Sequence, residues 1–396
     1  MDDRRRGLKL IEVMVIVGVI GLLMGVVIIP IRNARALGRR AQCQNNMKNL
    51  GLALVQFSTN RNYYPNAGTF FDDPAVHGGD PAKSNIYRAI VNPASLAGKN
   101  NPCLKSWVLD IMPYLDSNDF KYDFKESYLS TKSSGPSQPG NFSVCTTSLA
   151  GLHCPEDPTY RPNQGNLSYA VNGGFARWYP IPVGWAGGKK DGQARNGGVL
   201  NWTDDRNPLG VGRKLGVMFL GTHTGDQPWD VKTTPSGISD GASNTLLLGE
   251  NTLVGYSPGT TYSGGLPTNW GCPLPNFCMF LGSDDVCRST RSETDCLAGQ
   301  LKPGPRGETG AGWSWASRAG SFERMNYGAD FTVEGSFPFV NSGHPGGSNF
   351  IFCDGSLRFV SRSIDGTVYA RLITPAGGAL PAPIRQGNET FGDLNP

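Results

Sequence analysis

An unbroken apolar run near the N-terminus limits the choices for this chain before anything else does. From Val13 to Ile29 there is no charged residue, and Leu8, Leu10 and Ile11 extend the stretch backwards. Leu8–Ile29 spans 22 residues, about 33 Å at helical rise and enough to cross a bilayer core. A cleaved secretory signal would be shorter and would end at an Ala-x-Ala-like site, whereas this run ends at Pro30 and Arg32. The expectation is one membrane-spanning helix. Arg4, Arg5, Arg6 and Gly7 precede the run, and Lys9 and Glu12 lie at its edge. A carboxylate costs about 2.5–3.5 kcal/mol near the centre of a span and less near its end. Lys9 is three residues from Glu12 on the same helical face, so an interfacial ion pair is one use for both.

Pro30 should kink this helix. Beyond it, helix-forming composition continues to Ser58, and Met47, Leu50, Leu54 and Phe57 step by 3, 4 and 3. That stripe should dock on a globular domain. Arg32, Arg35, Arg39 and Arg40 precede it and are placed to meet lipid headgroups or solvent. Both flanks of the span are basic, so charge does not set its orientation.

The remainder is long enough to bury a substantial core. The whole chain has 53 Gly and 29 Pro, so the remainder reads as short strands joined by many turns, while 18 Phe, 13 Tyr and 8 Trp in the chain argue for a packed interior over disorder. A net charge of +4 and no basic, aromatic-interleaved stretch argue against nucleic-acid binding. Cys272, Cys278, Cys287 and Cys296 have spacing that suits loop-stapling disulfides rather than a zinc site, which needs Cys-x2-Cys pairs or interspersed His. Disulfides imply an oxidising compartment, so the domain is expected outside the cytoplasm. Near the C-terminus, Asp354-Gly355 lies between Asn349–Cys353 and Ser356–Val360. This is a hairpin signal, read as a two-residue type I′ turn that puts Phe350, Phe352, Leu357 and Phe359 on one face. Ile351, Cys353, Ser356 and Arg358 fall on the other.

The N-terminal order of parts resembles the signal of type IV prepilins and type II secretion pseudopilins: a basic leader, a glycine before the cut, and a glutamate at mature position five. Gly7, Leu8 and Glu12 match those positions. The resemblance implies cleavage between Gly7 and Leu8 and methylation of the new amine by a prepilin peptidase. It gives Glu12 an assembly role facing the N-terminal amine of a neighbouring pilin-like subunit, a partner charge that would relieve its desolvation. Leu8 stands where pilins usually begin with Phe or Met, and Lys9 replaces a small polar residue.

A second resemblance covers more of the chain. Cys43-Gln44-Asn45-Asn46-Met47-Lys48-Asn49-Leu50-Gly51-Leu52-Ala53 is similar to the stem of a large pseudopilin-like family abundant in planctomycete bacteria, which also carries a C-terminal His-x9-Asp-Gly signature. Here His344 precedes Asp354-Gly355 by that spacing. Cys154-Pro155-Glu156-Asp157, Ser168-Tyr169-Ala170-Val171-Asn172 and Asp240-Gly241-Ala242-Ser243-Asn244-Thr245 resemble further blocks of the same family, in the same order. Because their blocks occur together in that family, Cys43 and Cys154 are candidates for a disulfide that pins the stem to the domain. Cys353 is then read as an unpaired, buried hydrophobe.

The expected fold is α+β: leader 1–7, transmembrane and stem helix 8–58, a loop-rich antiparallel β domain over 59–375, and a flexible tail over 376–396. His77, His153, His223 and His344 are the only histidines, and no nucleophile elbow, phosphate loop or metal-binding His pair accompanies them. The chain is therefore read as neither an enzyme nor a metalloprotein, with His344 capping nearby backbone. Asp240 and Asp284-Asp285 offer oxygen ligands for Ca²⁺, without EF-hand spacing. Two roles remain: a polymerising pilin-like subunit of the bacterial inner membrane with its domain extracytoplasmic, or a non-polymerising single-pass envelope protein with a binding domain.

Overall fold

The computed structural model describes residues 9–73, 75, 83–98, 100–115, 121–133, 139–177, 199–200, 212–225, 230, 232–252, 264–282, 313, 324–326, 339–380 and 385–387, without the side chains of 25–33, 90–91, 176–177, 199–200, 212 and 276. Gly7, Leu8, His77, Asp284, Asp285, Cys287 and Cys296 lie outside these.

One helix, α1 (Leu10–Arg61), runs through Pro30 and closes at Asn62, which adopts the left-handed conformation at φ 60°. Its two halves differ. Leu10, Ile11, Met14, Val17, Leu22 and Leu23 are exposed, whereas Cys43, Met47, Leu50, Leu54 and Phe57 are buried. The stripe expected to dock does so, and each large side chain buried there stabilises the joint by about 1.5–3 kcal/mol. Among the described residues no helix is long and apolar enough to cross a membrane.

The strands are β1 (Gly68–Phe70), β2 (Cys103–Ser106), β3 (Tyr169–Asn172), β4 (Ala176–Arg177), β5 (Val199–Leu200), β6 (Leu220–Thr222), β7 (Leu246–Glu250), β8 (Met279–Phe280), β9 (Gly347–Phe352) and β10 (Leu357–Ser361). The main sheet has the order β10-β9-β7-β3-β8, with β8 parallel to β3 and the other pairs antiparallel. A smaller sheet, β2-β1-β6, is also mixed, and β4 pairs with β5. The domain is thus of the α+β class with mixed sheets, not a purely antiparallel one.

The docked half of α1 covers one face of the main sheet, where Ile351 and Leu248 join the stem stripe in one apolar cluster. Gly51 sits where any Cβ would come 2.6 Å from Ile351 Cγ2, so the glycine sets how closely helix and sheet approach. A second helix, α2 (Gly366–Ile373), covers the opposite face and is capped by Asp365, whose Oδ1 accepts from the backbone of Thr367 and Val368. Its Tyr369 meets Phe350 edge-on, with centroids 6.2 Å apart, in a second cluster with Phe280, Phe352 and Val360.

The β9–β10 hairpin departs from the expected register. Ile351 pairs with Leu357 and Phe350 with Arg358. Phe352 N–H donates to Ser356 O, and of the turn residues Gly355 alone has positive φ, at 80°. The loop is therefore Cys353-Asp354-Gly355, three residues with glycine in the left-handed position, not a two-residue type I′ turn. One extra loop residue moves each pairing by one, which exchanges faces. Phe350 and Phe352 face α2, while Leu357 packs with Ile351 on the stem side, and Phe359 lies under the Arg40 guanidinium at 4.7 Å. The cause is tertiary: Cys353 N–H donates to Thr245 O and Asp354 N–H to Ala242 O, holding the turn open against the neighbouring loop.

Of the stretch read as a tail, Ala376 is buried, Leu380 is buried in the α2 cluster, and Gln386 N–H donates to Gly377 O.

Candidate functional site

Four segments far apart in sequence meet where the stem enters the domain. Cys43 on α1 and Cys154 in the Cys-Pro turn form a disulfide, with Cα atoms 4.8 Å apart across a separation of 111 residues. The turn itself is closed by Asp157 N–H donating to Cys154 O at 2.8 Å. Cys154 Sγ lies 3.8 Å from His344 Nε2, and that nitrogen is 3.1 Å from Glu250 Oε1. The stem adds further ties here. Gln44 Nε2 donates to Asn349 Oδ1 at 3.1 Å, and Asn46 Nδ2 donates to the carbonyls of Ala150 and His153.

Glu250 ends β7 and has no exposed surface. A carboxylate in that position must be compensated by hydrogen bonds or a counter-charge. Besides His344, it accepts from Ser342 Oγ, Ser348 Oγ, Asn349 N–H and Asn349 Nδ2, at 2.7–3.2 Å. Burial alone would raise its pKa. The hydrogen bond and charge of His344 outweigh that, helped by Asn349 and Ser342, and its pKa is lowered. Asp157 behaves in the opposite way. It accepts from Ser168 Oγ at 2.5 Å and from Thr159 N–H and Oγ1, yet burial, aided by the Glu250 charge, pushes its carboxyl up to about 7.

Residues 32–367 match the family described as Protein of unknown function (DUF1559). The chain belongs to that family. No curated protein and no solved structure matches it. The matched region of this DUF1559 chain contains Cys43, Cys154, Glu250, His344 and the β9–β10 hairpin, and it begins after the apolar run and its leader.

His344 and Asp354 do not form a pair. Asp354 is exposed at the hairpin tip, where its Oδ1 accepts from Ser356 N–H at 2.8 Å, so it caps its own turn. His344 is buried before the other end of β9. Its ring bonds a carboxylate and touches a disulfide, where the sequence pointed to backbone capping. Glu250 was missed, although a lone acid ending the apolar strand Leu246–Glu250 is a signal for a buried partner. Asp240 bonds Gly377 N–H through Oδ2 at 2.6 Å, a use for its carboxylate other than calcium. Cys272 and Cys278 are free buried thiols, not members of a staple, and Cys353 is free and buried as expected. Glu12 accepts from the Lys9 backbone N–H at 3.0 Å, capping the start of α1. Arg39 and Arg40 are engaged by the domain, through Glu156 Oε1 at 2.5 Å and the Phe359 ring, rather than left for headgroups.

Proposed function

We propose that this DUF1559 chain is a pilin-like subunit, held in a bacterial inner membrane by residues 8–29 with its domain on the extracytoplasmic side. The observation that carries the reading is the division of α1. Its docked half is pinned by a disulfide, while the described side chains of its first half leave Leu10, Ile11, Met14, Val17, Leu22 and Leu23 uncovered. An apolar helix half of this kind is costly in water and favours lipid or the helices of neighbouring copies. The Cys43–Cys154 bond supports an oxidising compartment for the domain. Arg4–Gly7 and Glu12 support entry by the prepilin route, with a prepilin peptidase and other pilin-like subunits as partners. The role is structural, not catalytic.

Intact-mass analysis of the native protein tests this. The expected N-terminus is Leu8, methylated or not, and Glu12→Leu should insert into membranes while entering surface filaments poorly. A retained Met1, or a cut after residue 30, would overturn the pilin reading. Correct processing with no filament seen by electron microscopy would favour the non-polymerising envelope protein.

A further inference from the structure

We propose that, when the Cys43–Cys154 bond is reduced, Cys43, Cys154, Glu250 and His344 form a tetrahedral site for a divalent zinc ion. The two sulfurs, a carboxylate oxygen of Glu250 and a ring nitrogen of His344 all lie within 4.8 Å of one another, and all four residues are buried. Zinc takes sulfur at about 2.3 Å and nitrogen or oxygen at about 2.0–2.2 Å, so its ligand atoms stand about 3.3–3.8 Å apart. The 3.8 Å between Cys154 Sγ and His344 Nε2 and the 3.1 Å between His344 Nε2 and Glu250 Oε1 are already close to that spacing. Two thiolates, an imidazole and a carboxylate select a borderline-soft tetrahedral ion and disfavour Ca²⁺ or Mg²⁺. The surroundings also suit a metal. Glu250 is oriented by Ser342, Ser348 and Asn349, the kind of outer contacts that hold ligands in place.

The disulfide and the metal exclude each other, because each sulfur bonded to its partner offers no thiolate. Reduction by a phosphine consumes one water, converts the phosphine to its oxide and leaves two thiols. Zinc then releases both thiol protons to solvent and takes the Nε2 lone pair of a neutral imidazole whose one proton sits on Nδ1. The same four segments meet in either state: in one the disulfide joins two of them and His344 and Glu250 lie against it, in the other all four are joined by coordination. Since the site is buried and its ligands come from separate segments, metal uptake should be coupled to folding.

The test uses the full chain in detergent, unfolded, reduced with a phosphine and refolded with or without Zn²⁺, then freed of loose metal by gel filtration. About one equivalent of zinc should remain, and Co²⁺ in its place should give tetrahedral d–d bands with a thiolate charge-transfer band. Bound metal should also protect Cys43 and Cys154 from alkylation, read by peptide mapping. Oxidised protein should hold at least tenfold less zinc, as should Cys43→Ser with Cys154→Ser, which keeps the other thiols as a control for loose binding. Circular dichroism separates folding from binding. Reduced chain that refolds without retaining zinc overturns the proposal, as does chain that fails to refold although zinc is present. Retention that survives the double serine substitution, or that is undiminished in His344→Ala, overturns it as well.

Discussion

Replacing His344 with Ala should be far more damaging than the loss of one hydrogen bond. Its Nε2 faces Glu250 Oε1 at 3.1 Å, and the carboxylate has no exposed surface. Breaking a buried pair from one side leaves an uncompensated charge and typically costs 3–5 kcal/mol, against roughly 1 kcal/mol for a neutral hydrogen bond. Four donors remain on Glu250, from Ser342, Ser348 and both nitrogens of Asn349, so the lower end, about 3 kcal/mol, is expected. Denaturant unfolding at neutral pH, with the disulfide intact, measures it. Glu250→Gln combined with His344→Ala should cost less than His344→Ala alone, since the charge is gone. The pH dependence follows from the same contacts. In the native chain the pKa of Glu250 is lowered by its partners, so its contribution is present above the unfolded value and lost as pH falls through the folded one. Without His344, burial dominates and raises that pKa, so the deficit of the variant should shrink as pH falls. A cost near 1 kcal/mol that does not change with pH would refute the buried-carboxylate account.

Cys43→Ser with Cys154→Ser opens a loop of 111 residues and should destabilise the domain by about 4–5 kcal/mol in the chain-entropy view, read as a drop in denaturation midpoint. Gly51→Ala improves helix propensity but drives a Cβ to 2.6 Å from Ile351 Cγ2, and a net loss of roughly 1–2 kcal/mol is expected; unchanged stability would mean that the stem can shift freely. Asp157 has a folded pKa of about 7 against an ordinary 3.8, so stability should fall as pH rises from about 4 through 7, by up to roughly 4 kcal/mol. Asp157→Asn should flatten that slope in melting curves at pH 5 and 8, and a slope that persists would assign it to another group.

The parts legible in the sequence are those with local periodicity or paired motifs. The stem stripe Met47, Leu50, Leu54 and Phe57 docks as its spacing implies, and the Cys43 and Cys154 blocks meet in the disulfide that the family resemblance implies. The hairpin register was not legible, because Asp-Gly suits both a two-residue loop and a three-residue loop with glycine in the left-handed position. The choice is made by Thr245 and Ala242, more than a hundred residues upstream. Glu250 escaped for a related reason. Its need for a partner is visible locally, but His344, Ser342, Ser348 and Asn349 lie over 90 residues away. The thiols Cys272 and Cys278 misled because their spacing resembles a staple while both pack as apolar groups inside the core.

The placement of the signature residues along α1 has a mechanical reading. Arg39 bonds Glu156, Arg40 stacks on Phe359, Cys43 bonds Cys154 and Gln44 bonds Asn349. These ties occupy about one and a half helical turns, at the point where the docked half of α1 gives way to the exposed half. For a subunit pulled through its N-terminal half, as a pilin in a filament would be, load peels the helix from this end first. Apolar contacts at Leu50, Leu54 and Phe57 lie further along and would be stripped one at a time if the peel started freely. A covalent bond at the first contact makes all of them share the load, and the buried His344–Glu250 pair anchors the residues that flank that bond. The same tie at Phe57 would leave residues 39–54 free to lift, so a clasp at Cys43 protects the most interface with one bond.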